Sequence, residues 1–241
     1  MRATIMRAPG DVVVTEVDRP EIIEPTDAII ELAAACICGS DLWPYRGYDK
    51  AENRAMGHEY VGTVVEVGSA VTTVKPGDFV VGSFCISDNT CEICDSGYPS
   101  RCVNGGFVSG TQAEFVRIPQ ADGTLVVVPG GRPEDPDVLA SLLAASDVLG
   151  TGWFGAVSAE AGPGKTVAVV GDGAVGLLAI LAAKELGAER VIAMSRNPQR
   201  QALAKEFGAT DIVEERGEEG VSRVKDLTLN QIGRASCRER V

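Results

Sequence analysis

The chain has 241 residues, a formal net charge of −12 at pH 7, 45% hydrophobic and 23% charged residues, and a sequence pI near 4.6. That length carries one large or two ordinary domains, and the near-average composition excludes wholesale disorder, a collagen-like repeat and a membrane class. The acidic balance argues against nucleic acid and membrane partners, no apolar run reaches spanning length, and Met1 to Gly10 lacks a signal peptide's apolar core, so a cytoplasmic location is expected.

From Ala3 to about Val128 short β-rich runs are punctuated by Gly and Pro, notably Val12 to Val17, Ala28 to Ala34, Gly62 to Val67 and Phe79 to Val81. They predict a small irregular barrel. Cys36, in the same stretch, reads as core. Seven cysteines, four of them within Cys85 to Cys102, point in an intracellular chain to metal ligation more than to disulfides. His58 is the only histidine, so any histidine-dependent chemistry uses it. Pro133 to Ala145 is predicted helical, with Val138, Leu139, Leu142 and Leu143 on one apolar stripe. A domain junction is expected between about Trp153 and Gly164.

Beyond Gly162 the rhythm becomes strand Thr166 to Val170, helix Ala174 to Leu186, strand Arg190 to Met194, helix Pro198 to Phe207 and a short strand Asp211 to Val213. Apolar strands alternating with helices predict a parallel sheet. Gly171, Gly173 and Gly176 form G-x-G-x-x-G between the first strand and its helix, the context in which glycines permit the tight turn, the approach to a pyrophosphate and close helix packing. At the end of the second strand, where a site for NAD usually carries an acid, stand Ser195 and Arg196, with Arg200 one turn on. A hydroxyl and two guanidinium groups suit the 2′-phosphate of NADP, which is expected in preference to NAD. Alternatively, the two arginines only solvate a helix start.

Three separated segments carry metal chemistry: Cys38-Gly39-Ser40-Asp41, Gly57-His58-Glu59, and Ser146-Asp147 ahead of Thr151-Gly152. Catalytic zinc takes three ligands from Cys, His and carboxylate and keeps a position open. Cys38, His58 and Asp147 supply such a set, with Glu59 a fourth or alternating ligand. Singly, these residues read as a small buried hydrophobe, a core imidazole and a helix cap. Together and in this order, with the glycine loop downstream, they resemble the zinc-dependent medium-chain alcohol dehydrogenase family.

The resemblance implies a GroES-like β-barrel domain over about residues 1–155 and an incomplete Rossmann domain over 156–230, in an α/β plus β architecture. It assigns Cys38, His58 and Asp147 to catalytic zinc, Ser40 to the substrate oxygen and its proton, Asp41 to orienting the imidazole, and Thr151 to a nicotinamide contact. Trp43 stands where some members carry a histidine that ends the proton relay; the relay then ends at cofactor hydroxyls or water, and Trp43 either walls the pocket or simply packs. The implied substrate is a small alcohol or its carbonyl, with a polyol or amino alcohol as the alternative, and the parent protein is expected to be a homo-oligomer. In a structural zinc lobe at about 85–105, Cys91, Cys94 and Cys102 match the last three ligand positions, and Asp88 stands at the first. Asp88 is one choice of fourth ligand and Cys85 the other; a lobe that has lost its metal is the third reading.

The last residues, Gln231 to Val241, form a basic stretch without apolar period that resembles the conceptual translation of a sequencing adapter. Cys237 is therefore not taken as a ligand, and native sequence is expected to end near Asn230. A Rossmann sheet stopped at its third strand would expose an edge and an apolar face, so poor solubility and weak or absent activity, a non-catalytic product, are expected of the chain as it stands.

Overall fold

The computed structural model describes residues 1–229, so the expected non-native tail over 231–241, with Cys237, lies outside the described residues. The chain divides into two compact units that part after Asp147. This is earlier than the expected junction at Trp153 to Gly164, because a helix over Val148–Ser158 packs on a helix of the second unit.

The first unit runs β1 (Arg2–Ala8), β2 (Asp11–Glu16), β3 (Ala28–Ala35), α1 (Leu42–Tyr45), β4 (Arg54–Ala55), β5 (Tyr60–Val67), β6 (Phe79–Gly82), β7 (Cys85–Ile86), α2 (Glu92–Asp95), β8 (Gly106–Phe107), β9 (Phe115–Ile118), α3 (Ala121–Thr124), β10 (Leu125–Val127) and α4 (Pro136–Ala144). Its largest sheet is antiparallel in the order β10-β6-β5-β3-β9, beside a three-stranded sheet β2-β1-β4 and the ribbon β7-β8. Apolar side chains on one face of the large sheet, among them Ile30, Val64, Val80 and Ile118, make the main core. The register of β3 against β5 shifts at Ile29/Ile30 and again at Leu32/Ala34, and ends with Ala35 opposite Tyr60. That pairing brings the exit of β3 and the entry of β5 to one end of the sheet.

Helix α4 closes the unit. Asp135 caps it by accepting the Asp137 N–H at 2.8 Å, and Pro136 occupies the first turn, where no N–H is needed, so the helix begins three residues later than expected. Leu143 is buried with Val61 and Phe79, and Leu139 and Leu142 pack alongside. Val138, expected on the same stripe, is 46% exposed, because it sits at the margin of the apolar arc. Docking of α4 on β3 and β5 carries Asp147, just beyond it, to the sheet end where Cys38 and His58 lie.

The second unit comprises α5 (Val148–Ser158), β11 (Thr166–Val170), α6 (Ala174–Glu185), β12 (Arg190–Met194), α7 (Pro198–Glu206), β13 (Asp211–Val213) and α8 (Gly217–Leu227). Its three strands are parallel in the order β11-β12-β13. Val191 and Ala193 of the sheet bury against Ile180, Ala182 and Ala183 of α6 and Ala204 of α7, the small alanines letting the helices sit close. Helix α8 follows the last strand expected from the sequence and adds an element beyond it. Among the described residues no single helix is long and apolar enough to cross a membrane.

Candidate metal centres and glycine loop

Cys38, His58, Glu59 and Asp147 each offer a ligand atom, and all four atoms lie within 4.8 Å of one another. The Asp147 carboxylate oxygen Oδ2 is 3.7 Å from Cys38 Sγ and 3.4 Å from His58 Nε2. Tetrahedral zinc with donors at about 2.0–2.3 Å separates them by about 3.3–3.8 Å, so sulfur, imidazole and carboxylate fit one such ion in number, type and spacing. Cys38, Glu59 and Asp147 are buried, and His58 is largely so.

Local structure explains each placement. Cys38 precedes a 3-10 turn over Gly39–Asp41, and its backbone N–H donates to Asp41 Oδ2 at 2.9 Å, so Asp41 fixes the turn that presents the thiol. The other Asp41 oxygen faces His58 Nδ1 at 3.8 Å, on the side of the ring away from Asp147. Gly57 holds φ +90°, and a Cβ there would lie 2.7 Å from Gln112 Cγ and 2.8 Å from Thr111 Oγ1. Only glycine lets the chain turn into His58 at this point. Ser40 is exposed within the turn, Trp43 is exposed on α1, and Thr151 lies on α5 in the second unit.

The electrostatics favour a cation. Hydrogen bonding to Asp147 and then to Cys38 outweighs burial and pushes the His58 imidazole up from 6.5 to about 10. Burial, with the Asp147 charge behind it, raises the Glu59 carboxyl. Cys36, read as core, packs beside Val61 and Phe79 but also bonds Glu59; burial first and then the Glu59 charge push its thiol up to about 11. Its spacing of two from Cys38 was the available signal, since alternate residues of an extended strand share a side. Phe84 meets the His58 ring edge-on at 6.1 Å between centroids, a contact without a sequence signature.

Asp88, Cys91, Cys94 and Cys102 form a second cluster with the same close spacing. Cys91 Sγ lies 3.5 Å from Cys94 Sγ and 3.9 Å from Cys102 Sγ, near the separation that thiolates take around zinc. Asp88 Oδ1 accepts the N–H groups of Thr90 and Cys91, and its Oδ2 accepts from the Asn104 amide at 2.7 Å; the Thr90 N–H, then Asn104 and Cys91, hold the Asp88 carboxyl well below its ordinary range. Desolvation and the neighbouring Cys91 and Cys102 thiols push Cys94 up to about 12. Cys85, the other choice of fourth ligand, is not in this cluster: it is buried in β7, where desolvation and the Asp147 charge raise its thiol.

In the second unit Gly171 takes φ +114°, and a Cβ on Gly176 would stand 2.1 Å from the Gly171 carbonyl oxygen. The loop therefore closes on itself at the start of α6, with Gly173 as the residue before the helix. Ser195 is fully buried at the end of β12, Arg200 lies in the first turn of α7, and Arg196 is exposed. Ser195 and Arg200 meet through Asp172, a residue that the glycine motif itself leaves unspecified. Asp172 accepts from Ser195 Oγ at 2.8 Å and from Arg200 at 3.1 Å.

The chain is similar to known proteins in both sequence and fold. Residues 24–130 match the alcohol dehydrogenase GroES-like domain, and residues 174–233 match the zinc-binding dehydrogenase family. The medium chain reductase/dehydrogenase ucsI of Acremonium sp. is 36% identical over 95% of the chain and 81% of its own length. The zinc-type alcohol dehydrogenase B of Aspergillus flavus is 37% identical over 95% of the chain, which spans only 55% of that relative. The alcohol dehydrogenase TADH from Thermus sp. ATN1 superposes with a TM-score of 0.84 at 35% identity, covering 97% of this chain and 68% of that one.

Proposed function

The chain belongs to the zinc-dependent medium-chain dehydrogenase family, and on that premise we propose that it is built to interconvert a small alcohol and its carbonyl in the cytoplasm, exchanging hydride with NADP in preference to NAD. The observation that carries this reading is the convergence of Cys38, His58, Glu59 and Asp147 within 4.8 Å. Cys38, His58 and Asp147 would hold zinc, with Glu59 as a fourth or alternating ligand that leaves a position for the substrate oxygen. Bound there, zinc supplies Lewis-acid polarisation of the substrate oxygen.

The protein's own groups do the rest. Asp41 positions both the Cys38 turn and the His58 ring. Ser40, exposed in that turn, donates to the substrate oxygen and passes the alcohol proton outward. Thr151 contacts the nicotinamide. Gly171, Gly173 and Gly176 shape the pyrophosphate loop, and Ser195, Arg196 and Arg200 supply the hydroxyl and positive charge that favour a 2′-phosphate. Asp88, Cys91, Cys94 and Cys102 would hold a structural zinc.

Zinc counting on the full chain, paired with a panel of alcohols and both nicotinamide cofactors, tests the reading. Two zinc ions per chain and alcohol-dependent reduction of NADP are expected. A chain that takes up no stoichiometric zinc would end the proposal.

A further inference from the structure

We propose that Asp172 is a specificity-determining residue of the dinucleotide site, weakening the grip on a 2′-phosphate by keeping Ser195 and Arg200 for itself. The inference rests on the dinucleotide reading of the glycine loop. It adds a residue opposed to the NADP preference that Ser195, Arg196 and Arg200 favour.

Asp172 lies between Gly171 and Gly173, and its carboxylate reaches across to the end of β12 and the first turn of α7. That strand end is where a dinucleotide's adenosine ribose is recognised in this type of sheet. Ser195 is fully buried, and its hydroxyl has one proton to give. While the proton is donated to Asp172 Oδ2 at 2.8 Å, it is not available to a phosphate oxygen. Arg200 is engaged at 3.1 Å, but half its side chain is exposed, so it has room to exchange the carboxylate for another anion.

The carboxylate also cancels one of the two guanidinium charges. A 2′-phosphate arriving here meets a like charge, whereas an unphosphorylated ribose brings a hydroxyl that can donate to a carboxylate. The contacts hold the Asp172 carboxyl below its ordinary range: burial opposes ionisation, but the Ser195 hydroxyl and the Arg200 guanidinium more than offset it. Asp172 and the arginines therefore pull in opposite directions, and the balance sets the preference.

The test is equilibrium binding of adenosine 2′,5′-bisphosphate and adenosine 5′-monophosphate to the full chain. Asp172→Asn keeps an acceptor for Ser195 and removes the charge; Asp172→Ala is the second variant. Both are expected to raise the preference for the bisphosphate by roughly tenfold, the effect of removing one nearby like charge. Combining Asp172→Asn with Arg200→Gln removes one charge of each sign and is expected to return the preference close to that of the unaltered chain. An unchanged preference in both single variants would overturn the inference. If the unaltered chain prefers the monophosphate and Asp172→Asn reverses the order, the NADP preference falls while the role of Asp172 stands. If the unaltered chain binds neither nucleotide, the reading of the loop and this inference fall together.

Discussion

The imidazole Nε2 of His58 lies 3.4 Å from a carboxylate oxygen of Asp147, which joins the entry of a strand to the chain leaving a distant helix. The same oxygen is 3.7 Å from the Cys38 sulfur, so one carboxylate completes the triangle. Asp147→Ala should therefore release the zinc of this site while leaving the Asp88 cluster loaded. Even groups that only support a metal ligand are worth about 10–100-fold in affinity, and loss of a ligand should cost at least the upper end of that range. Metal analysis after mild chelation should fall from two ions per chain to one; retention of both would remove Asp147 from the ligand set.

The same cluster predicts a pH dependence. In the metal-free chain the His58 imidazole is raised from 6.5 to about 10, first by Asp147 and then by Cys38. A raised value means that protonation favours the folded state: the contribution is complete below pH 6.5 and is lost as pH rises toward 10. Metal-free protein should lose thermal stability across that window, and His58→Asn should flatten the loss. Zinc requires the neutral imidazole, so its apparent affinity should rise over the same range. Identical pH profiles for the metal-free chain and the His58→Asn variant would sink this account.

Asp41 has two separable tasks. One oxygen accepts the Cys38 N–H at 2.9 Å and the other faces His58 Nδ1 at 3.8 Å. Asp41→Asn can keep the first contact and loses the charge at the second, so zinc affinity should fall by about tenfold at nearly unchanged stability. Asp41→Ala removes both, and should cost a further ~1 kcal/mol in chemical denaturation, the usual worth of a helix cap. If both variants bind zinc like the parent, Asp41 is a structural cap alone.

The parts legible from sequence were those with a period or a spacing. Runs such as Thr166–Val170 and Ala174–Glu185 show their strand and helix patterns directly, and Cys91, Cys94 and Cys102 announce a ligand loop by interval alone. Two-residue strands such as Arg54–Ala55 and Cys85–Ile86 are too short to carry a period. Helix α8 begins Gly217-Glu218-Glu219-Gly220, which reads as a polar loop, and only the three apolar residues Val221, Val224 and Leu227 behind it recur at helical spacing, a stripe under two turns long. The bonds from Asp172 to Ser195 and Arg200 exist only because β12 returns parallel to β11, a relation that no local pattern contains.

The second cluster should behave as an independent metal site. Cys102→Ser leaves Asp88, Cys91 and Cys94 in place, with the Cys91 and Cys94 sulfurs 3.5 Å apart, but removes one of four donors. Zinc content should fall by one ion per chain, and the melting temperature should drop by several degrees, since a structural ion contributes directly to folding. A chain that carries one zinc before the substitution and one after it would show that the lobe holds no metal.

Gly57 offers the sharpest separation of backbone from packing effects. Its φ of +90° disfavours any side chain, and an added Cβ would also fall 2.9 Å from the Gln112 backbone nitrogen, which cannot swing aside as a side chain can. Gly77 has a nearly identical φ of +94°, yet nothing lies within 4 Å of its would-be Cβ. Gly77→Ala should therefore cost only the conformational penalty, about 1 kcal/mol. Gly57→Ala adds an overlap of the kind that costs about 1–3 kcal/mol more, and relief of that overlap must move the backbone next to His58. Chemical denaturation should show the larger loss at Gly57, accompanied by weaker zinc binding that Gly77→Ala does not share. Equal losses at the two positions would mean that the loop before His58 yields freely, and that the imidazole is held in place by its ring contacts alone.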